Sequence, residues 1–158
     1  MTKTVGLLAL ILSALIFGFF YAWVCSTMWG LDRLDPATAI AAMNAMNGSV
    51  RNGVFAPAFF GTAPALLVAA IVAWQNRPAA LFFGLAAVTY ALLGVGITAS
   101  VNAPMNAELA RTAIPDDPAQ AQQIWTAYSS RWQTWNQIRA LGSGLAFILA
   151  ALGFARLK

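Results

Sequence analysis

The chain has 158 residues, of which 60% are hydrophobic and only 9% charged. A soluble domain is about 45–50% apolar and about 25% charged, so this composition excludes a water-soluble globule. The net charge of +4 comes from scattered basic residues, with no basic run and no aromatic-basic platform. That excludes a nucleic-acid surface and leaves lipid phosphates as their partners.

The first apolar stretch runs from Val5 to Met28. A hydrocarbon core about 30 Å thick needs about 20 helical residues, so this stretch can span. It is longer than the apolar part of a signal peptide, and no A-x-A site follows it. Cys25 is the lone cysteine and cannot form an internal disulfide; it reads as a small packing residue. Asp35-Pro36 then predicts an N-cap with proline at the first helical position. A short connector helix follows to about Met46, and Gly48 and Gly53 bring the chain back to the membrane.

The second span is read over Phe55–Trp74 and the third over Ala79–Val101. Gln75-Asn76-Arg77-Pro78 joins them as a tight antiparallel turn. Asn102-Ala103-Pro104 opens a second short connector helix, ending near Ile114-Pro115. Asp116-Asp117-Pro118 caps the next helix. No Pro or Gly intervenes between Ala119 and Gly142, so that helix runs straight into the fourth span, Ile138–Ala155. The fold class is all-α: one transmembrane domain, a four-helix bundle with two helical extramembrane connectors on one side.

Small residues recur at four-residue spacing in every span. They are Ala14, Gly18, Ala22 and Ser26; Gly61, Ala65, Ala69 and Ala73; Ala87, Ala91 and Ala99; and Gly142, Ala146 and Ala150. Such stripes let helices approach closely in lipid, and Gly18 and Gly61 are expected at helix contacts. The order span, Asn-rich connector, span occurs twice, which suggests a parallel 2+2 repeat about the membrane normal. Basic residues divide evenly. Lys3, Arg77, Arg156 and Lys158 lie on the short-loop side, and Arg33, Arg51, Arg111 and Arg131 on the other. Their density favours the short-loop side as cytoplasmic. The expectation is a bacterial inner-membrane protein with both termini inside.

There is no histidine, which removes His-ligated haem, zinc sites built on His and nearly all non-haem iron sites. Asp35, Asp116 and Asp117 have capping explanations. Asp32 and Glu108 alone do not make a metal cage, so no metal is expected. What remains is a set of amides near one membrane face: Asn44, Asn47, Asn52, Asn102, Asn106 and Asn136. Trp132, Trp135, Asn136 and Arg139 fall on one helical stripe at i, i+3, i+4 and i+7. Two readings stand. One is an interfacial aromatic belt with a snorkelling arginine. The other is a pocket wall of indoles, an amide and a guanidinium. An arginine near bilayer depth faces the bundle interior and needs a partner; Asp32, Glu108 and the amides are the candidates.

The aromatic-rich first span, Met43-Asn44-Ala45-Met46-Asn47, Val101-Asn102-Ala103-Pro104-Met105-Asn106 and Trp125-x6-Trp132-x2-Trp135-Asn136-x2-Arg139 together resemble the anthrone-oxygenase-like family of small four-span membrane proteins. The resemblance extends over essentially the whole chain. It implies a four-span fold and oxidation of an anthrone-like aromatic substrate without a cofactor. On that reading Trp132 and Trp135 stack on the substrate, and Arg139 and Asn136, with Asn102 or Asn106, hold an oxyanion. Asn44 and Asn47 complete the binding set, and Glu108, Asp32 or solvent accepts the proton. The rival class is non-catalytic: a binder of lipid, quinone or another apolar small molecule, or an accessory subunit. Besides the bilayer, the expected partner is a hydrophobic or aromatic small molecule. A homo-oligomer stays open.

Overall fold

The computed structural model describes residues 1–157; Lys158, counted above among the terminal cations, lies outside them. Among the described residues all regular structure is helical, in five helices. These are α1 (Thr2–Leu31), α2 (Pro36–Ser49), α3 (Phe55–Val72), α4 (Arg77–Arg111) and α5 (Pro118–Ala155). All but α2 are long and apolar enough to cross a membrane. The protein is an integral membrane four-helix bundle. Around the ring, α1 packs on α3 and α5, and α4 packs on the same two. Consecutive spans are therefore antiparallel, and both long connections fall at one end.

Local chemistry sets the helix starts. The Asp35 carboxylate accepts from the Thr38 amide at 3.1 Å, with Pro36 beside it. The Asp117 carboxylate accepts from the Ala119 amide at 3.0 Å. At the opposite end Asn76 serves two helices. Its Oδ1 accepts from the Ala79 amide at 3.3 Å, and its Nδ2 donates to the Arg156 carbonyl at 2.7 Å.

Two cores are stacked end to end. The membrane core contains Ile16, Phe20, Leu66, Phe83, Tyr90 and Ala146. The second, at the connector end, contains Met28, Ile40, Met43, Met105, Leu109, Trp125 and Trp132. The connectors thus form a packed headpiece: α2 lies against α5 and the end of α4, and α5 rises beside both. At about 1.5 Å per residue, the 38 residues of α5 exceed the bilayer core roughly twofold.

The structure departs from the sequence reading in two places. First, no new helix opens at Asn102; α4 is unbroken through Arg111. Its backbone passes through π turns at Tyr90–Gly96 and Thr98–Asn102. The wider turn gives room for the Pro104 ring, which in a regular helix would press on the carbonyl four residues back. A similar π turn, Trp23–Thr27, lies inside α1. Second, only some small-residue stripes face inward. Gly142, Ala146 and Ala150 are buried, but Gly18, Ala22, Ser26, Ala91 and Ala99 are exposed. A Cβ on Gly18 meets nothing within 4 Å, and one on Gly61 meets only Leu12 Cδ1 at 3.8 Å. Nothing in an apolar sequence fixes the rotation of a helix that is apolar all round. Gly18 therefore does not mark a helix contact.

Candidate functional site

The site grows from the inward face of α5. Trp125, Tyr128, Trp132, Asn136, Arg139 and Ser143 are all buried there, at the three-and-four spacing that keeps one face in contact with the bundle. Arg139 is 5% exposed. Its Nη2 donates to Asn136 Oδ1 at 2.9 Å, and its Nη1 donates to Thr98 Oγ1 at 3.1 Å. The Thr98 hydroxyl in turn donates to the Gly94 carbonyl at 2.7 Å, inside the π-turn region of α4. Asn136 is fixed from the other side: its Nδ2 donates to the Phe20 carbonyl at 3.3 Å, just ahead of the π turn in α1. The guanidinium carbon lies 4.7 Å from the Phe20 ring centre and 5.2 Å from that of Trp132.

These contacts hold the cation without neutralising it. Burying one ion costs several kcal/mol even after relaxation. Hydrogen bonds involving a charge return about 1.5–3 kcal/mol each, and a desolvated cation–π contact returns about 2 kcal/mol. The balance is close. Nε–H has no partner, so the group retains unused donors, and a bound anion would satisfy them.

A second polar cluster adjoins the first. Asn106 Oδ1 accepts from Trp132 Nε1 at 2.9 Å and from the Tyr128 hydroxyl at 2.7 Å. Its Nδ2 donates to Asn47 Oδ1 at 2.9 Å. Asn102 is fully buried; its Nδ2 reaches the Trp132 carbonyl at 3.5 Å. Asn102 Oδ1, Asn44 Oδ1, Asn47 Nδ2 and Ser143 Oγ are buried without a hydrogen-bond partner.

Both clusters border a cavity of about 550 Å³, within the range of small-molecule sites. Phe19, Phe20, Trp23, Phe55, Phe59, Phe60 and Trp132 supply its aromatic wall. Asn47, Arg51, Asn52, Thr98, Asn106 and Arg139 supply its polar groups. Every charged residue in that lining is an arginine; no carboxylate is present.

Of the residues singled out from the sequence, Arg139, Trp132, Asn106 and Asn47 line this cavity. Asn136 and Asn102 stand behind the wall and hold its members. Trp135 and Asn44 are half-buried and are not part of the lining. Glu108 is exposed and borders a separate groove with Tyr128 and Arg131. Asp32 is occupied elsewhere: it accepts from Trp125 Nε1 at 3.0 Å, Ser129 Oγ at 2.7 Å and Gln133 Nε2 at 2.9 Å. That triple contact ties the end of α1 to α5. Neither carboxylate lines the cavity, so of the proton acceptors named from the sequence, Glu108, Asp32 and solvent, the two carboxylates are not brought to Arg139.

Phe20, Trp23, Thr98 and Tyr128 were not singled out from the sequence. Tyr128 was within reach of the pattern, since it precedes Trp132 by one turn on the same stripe. Thr98 carried no such signal, because its placement follows from the π turns of α4, and the aromatics of α1 were noted only as a group, because nothing in an apolar span says which of them faces inward.

Residues 48–149 match the family model described as anthrone oxygenase. The chain belongs to this family. The matched stretch carries the end of α2, all of α3 and α4, and α5 as far as Leu149, so Thr98, Asn106, Trp132 and Arg139 are family territory. It leaves out α1, with Phe20 and Trp23, and is narrower than the whole-chain likeness read from the motifs. No curated protein and no solved structure matches the chain.

Proposed function

We propose that the cavity binds a flat, apolar aromatic ketone of the anthrone type and promotes its oxygenation without a cofactor. The observation that carries this reading is the buried Arg139 guanidinium, set between two aromatic faces in a cavity without an acid. Family membership supports the same chemistry.

An anthrone has an acidic CH2 conjugated to a ketone. Loss of one proton places negative charge on the ketone oxygen. Fixed donors aimed at that oxygen stabilise the anion and cost no reorganisation; Arg139 supplies them here, held in place by Asn136 and Thr98. With no carboxylate in the wall, water entering past the exposed Arg51–Gly53 segment takes the proton. The carbanion carbon then adds O2, and protonation gives a hydroperoxide. Loss of water from that carbon leaves the second ketone. Overall CH2 plus O2 becomes C=O plus H2O, with the substrate carbon oxidised and oxygen reduced. Phe20, Trp23 and Trp132 provide apolar faces for the rings.

The lack of a carboxylate in the wall also favours a second reading, in which the same cavity binds a lipid, a quinone or another apolar small molecule and performs no chemistry.

Oxygen uptake and anthraquinone formation, measured on purified protein supplied with anthrone, separate the two. Catalysis predicts turnover above the spontaneous rate. It also predicts a loss of about 10²-fold or more in the Arg139→Met variant, with helical content unchanged. Retention of full turnover by a folded Arg139→Met protein would overturn the role of Arg139. Tight binding with no turnover would establish the non-catalytic reading.

A further inference from the structure

A second cavity of about 490 Å³ lies beside the first, between α1 and the start of α3. The two share Phe19, Trp23, Val50, Asn52 and Phe55 in their walls. Its outer boundary is different in kind. Leu15 and Val54 line it and are 57% and 89% exposed, Leu15 from well within the apolar span of α1. An exposed leucine at that depth faces acyl chains rather than water. The partition between the cavities is built from side chains: the Phe19 and Phe55 rings meet with centres 4.7 Å apart. Aromatic rings on two different helices can part by rotamer change, which backbone cannot do without losing hydrogen bonds.

We infer that this groove is an entry site from the bilayer for a neutral, membrane-dissolved aromatic molecule, which passes between Phe19 and Phe55 to reach Arg139. The inference rests on the proposed binding role of the inner cavity and adds the route. The chemistry is consistent along its length. The groove is lined mainly by apolar side chains, with Ser49 and Asn52 its polar members and no charged residue, and the cations, Arg139 and Arg51, belong to the inner cavity. A ketone that is neutral in lipid therefore meets a reason to ionise only after crossing the aromatic partition. The aqueous alternative is the exposed Arg51–Gly53 segment at the connector end.

Leu15 and Ala58 line the groove but not the inner cavity, so bulk placed there obstructs the route and leaves the site intact. The experiment uses the full chain in phosphatidylcholine vesicles, into which anthrone is rapidly mixed under argon. Binding is followed through tryptophan fluorescence, since Trp23 and Trp132 line the inner cavity. Leu15→Phe and Ala58→Phe, which add bulk without adding a tryptophan, are compared with Leu85→Phe, a lipid-facing control on α4 that borders neither cavity. The expected result is association slowed about fivefold or more in the groove variants. Equilibrium affinity is unchanged and the control binds like the wild type. Unchanged association in both groove variants, with normal affinity, overturns the lipid route and assigns entry to the aqueous mouth. Absence of binding by the wild type itself removes the inner site, and with it any route to it.

Discussion

Among the glycines, Gly142 on α5 marks the closest approach of one helix to another. A Cβ built on Gly142 would stand 2.4 Å from Leu93 Cβ, and one on Gly144 would stand 3.0 Å from the Phe17 ring. Gly18 has only open space around it. The same substitution should therefore have opposite signs at two positions. Gly142→Ala overpacks the α4–α5 contact and should lower stability by about 1–3 kcal/mol. Gly18→Ala removes a poor helix former from an uncrowded site and should be neutral or stabilising by up to about 1 kcal/mol. Thermal unfolding in one detergent checks both, and Leu93→Ala should restore much of the loss at Gly142. Equal effects at the two glycines would contradict the packing described here.

At the scale of elements, what the sequence announced and what it concealed divide along physical lines. The spans were legible because length and apolarity are summed properties. The caps at Asp35 and Asp117 were legible because each is a local hydrogen bond. The α5 stripe was legible because polar and aromatic groups interrupt an otherwise apolar helix at regular spacing. Rotation of α1 and α4 was not, since those spans are apolar on every face and any side can meet lipid. The π turns were equally hidden. Each inserts a residue into a turn and redirects all that follows, and no composition marks it. One of them bears on what reaches Arg139, since Thr98 opens the second π turn of α4 and follows the first. The Pro104 expectation failed for the same reason, because a widened turn accommodates a proline that would otherwise begin a new helix.

For the whole molecule, the ring of antiparallel spans places the cavity, the headpiece and both long connections at one end. We propose, on the density of basic residues, that both termini lie in the cytoplasm and that end outside. Single cysteines in a Cys25→Ala background test this. A membrane-impermeant thiol reagent applied to intact bacterial cells should label Ser49→Cys and Pro115→Cys but not Gln75→Cys. Labelling of Gln75→Cys alone would invert the assignment, and labelling of Ser49→Cys and Pro115→Cys from opposite faces would contradict the bundle.

On the proposed reading, a wall whose only charged groups are the arginines Arg51 and Arg139 also makes the cavity a proton-releasing device. With no acid in its wall, Arg139 selects the anionic form of a ligand that arrives neutral, so each molecule bound leaves one proton in solution. By linkage, apparent affinity then rises about tenfold per pH unit while the free ligand remains protonated, and it levels off once the ligand ionises unaided. Calorimetry of anthrone binding under argon, repeated in two buffers of different ionisation enthalpy, should report one proton released per site. A ligand that binds as the neutral ketone would release none.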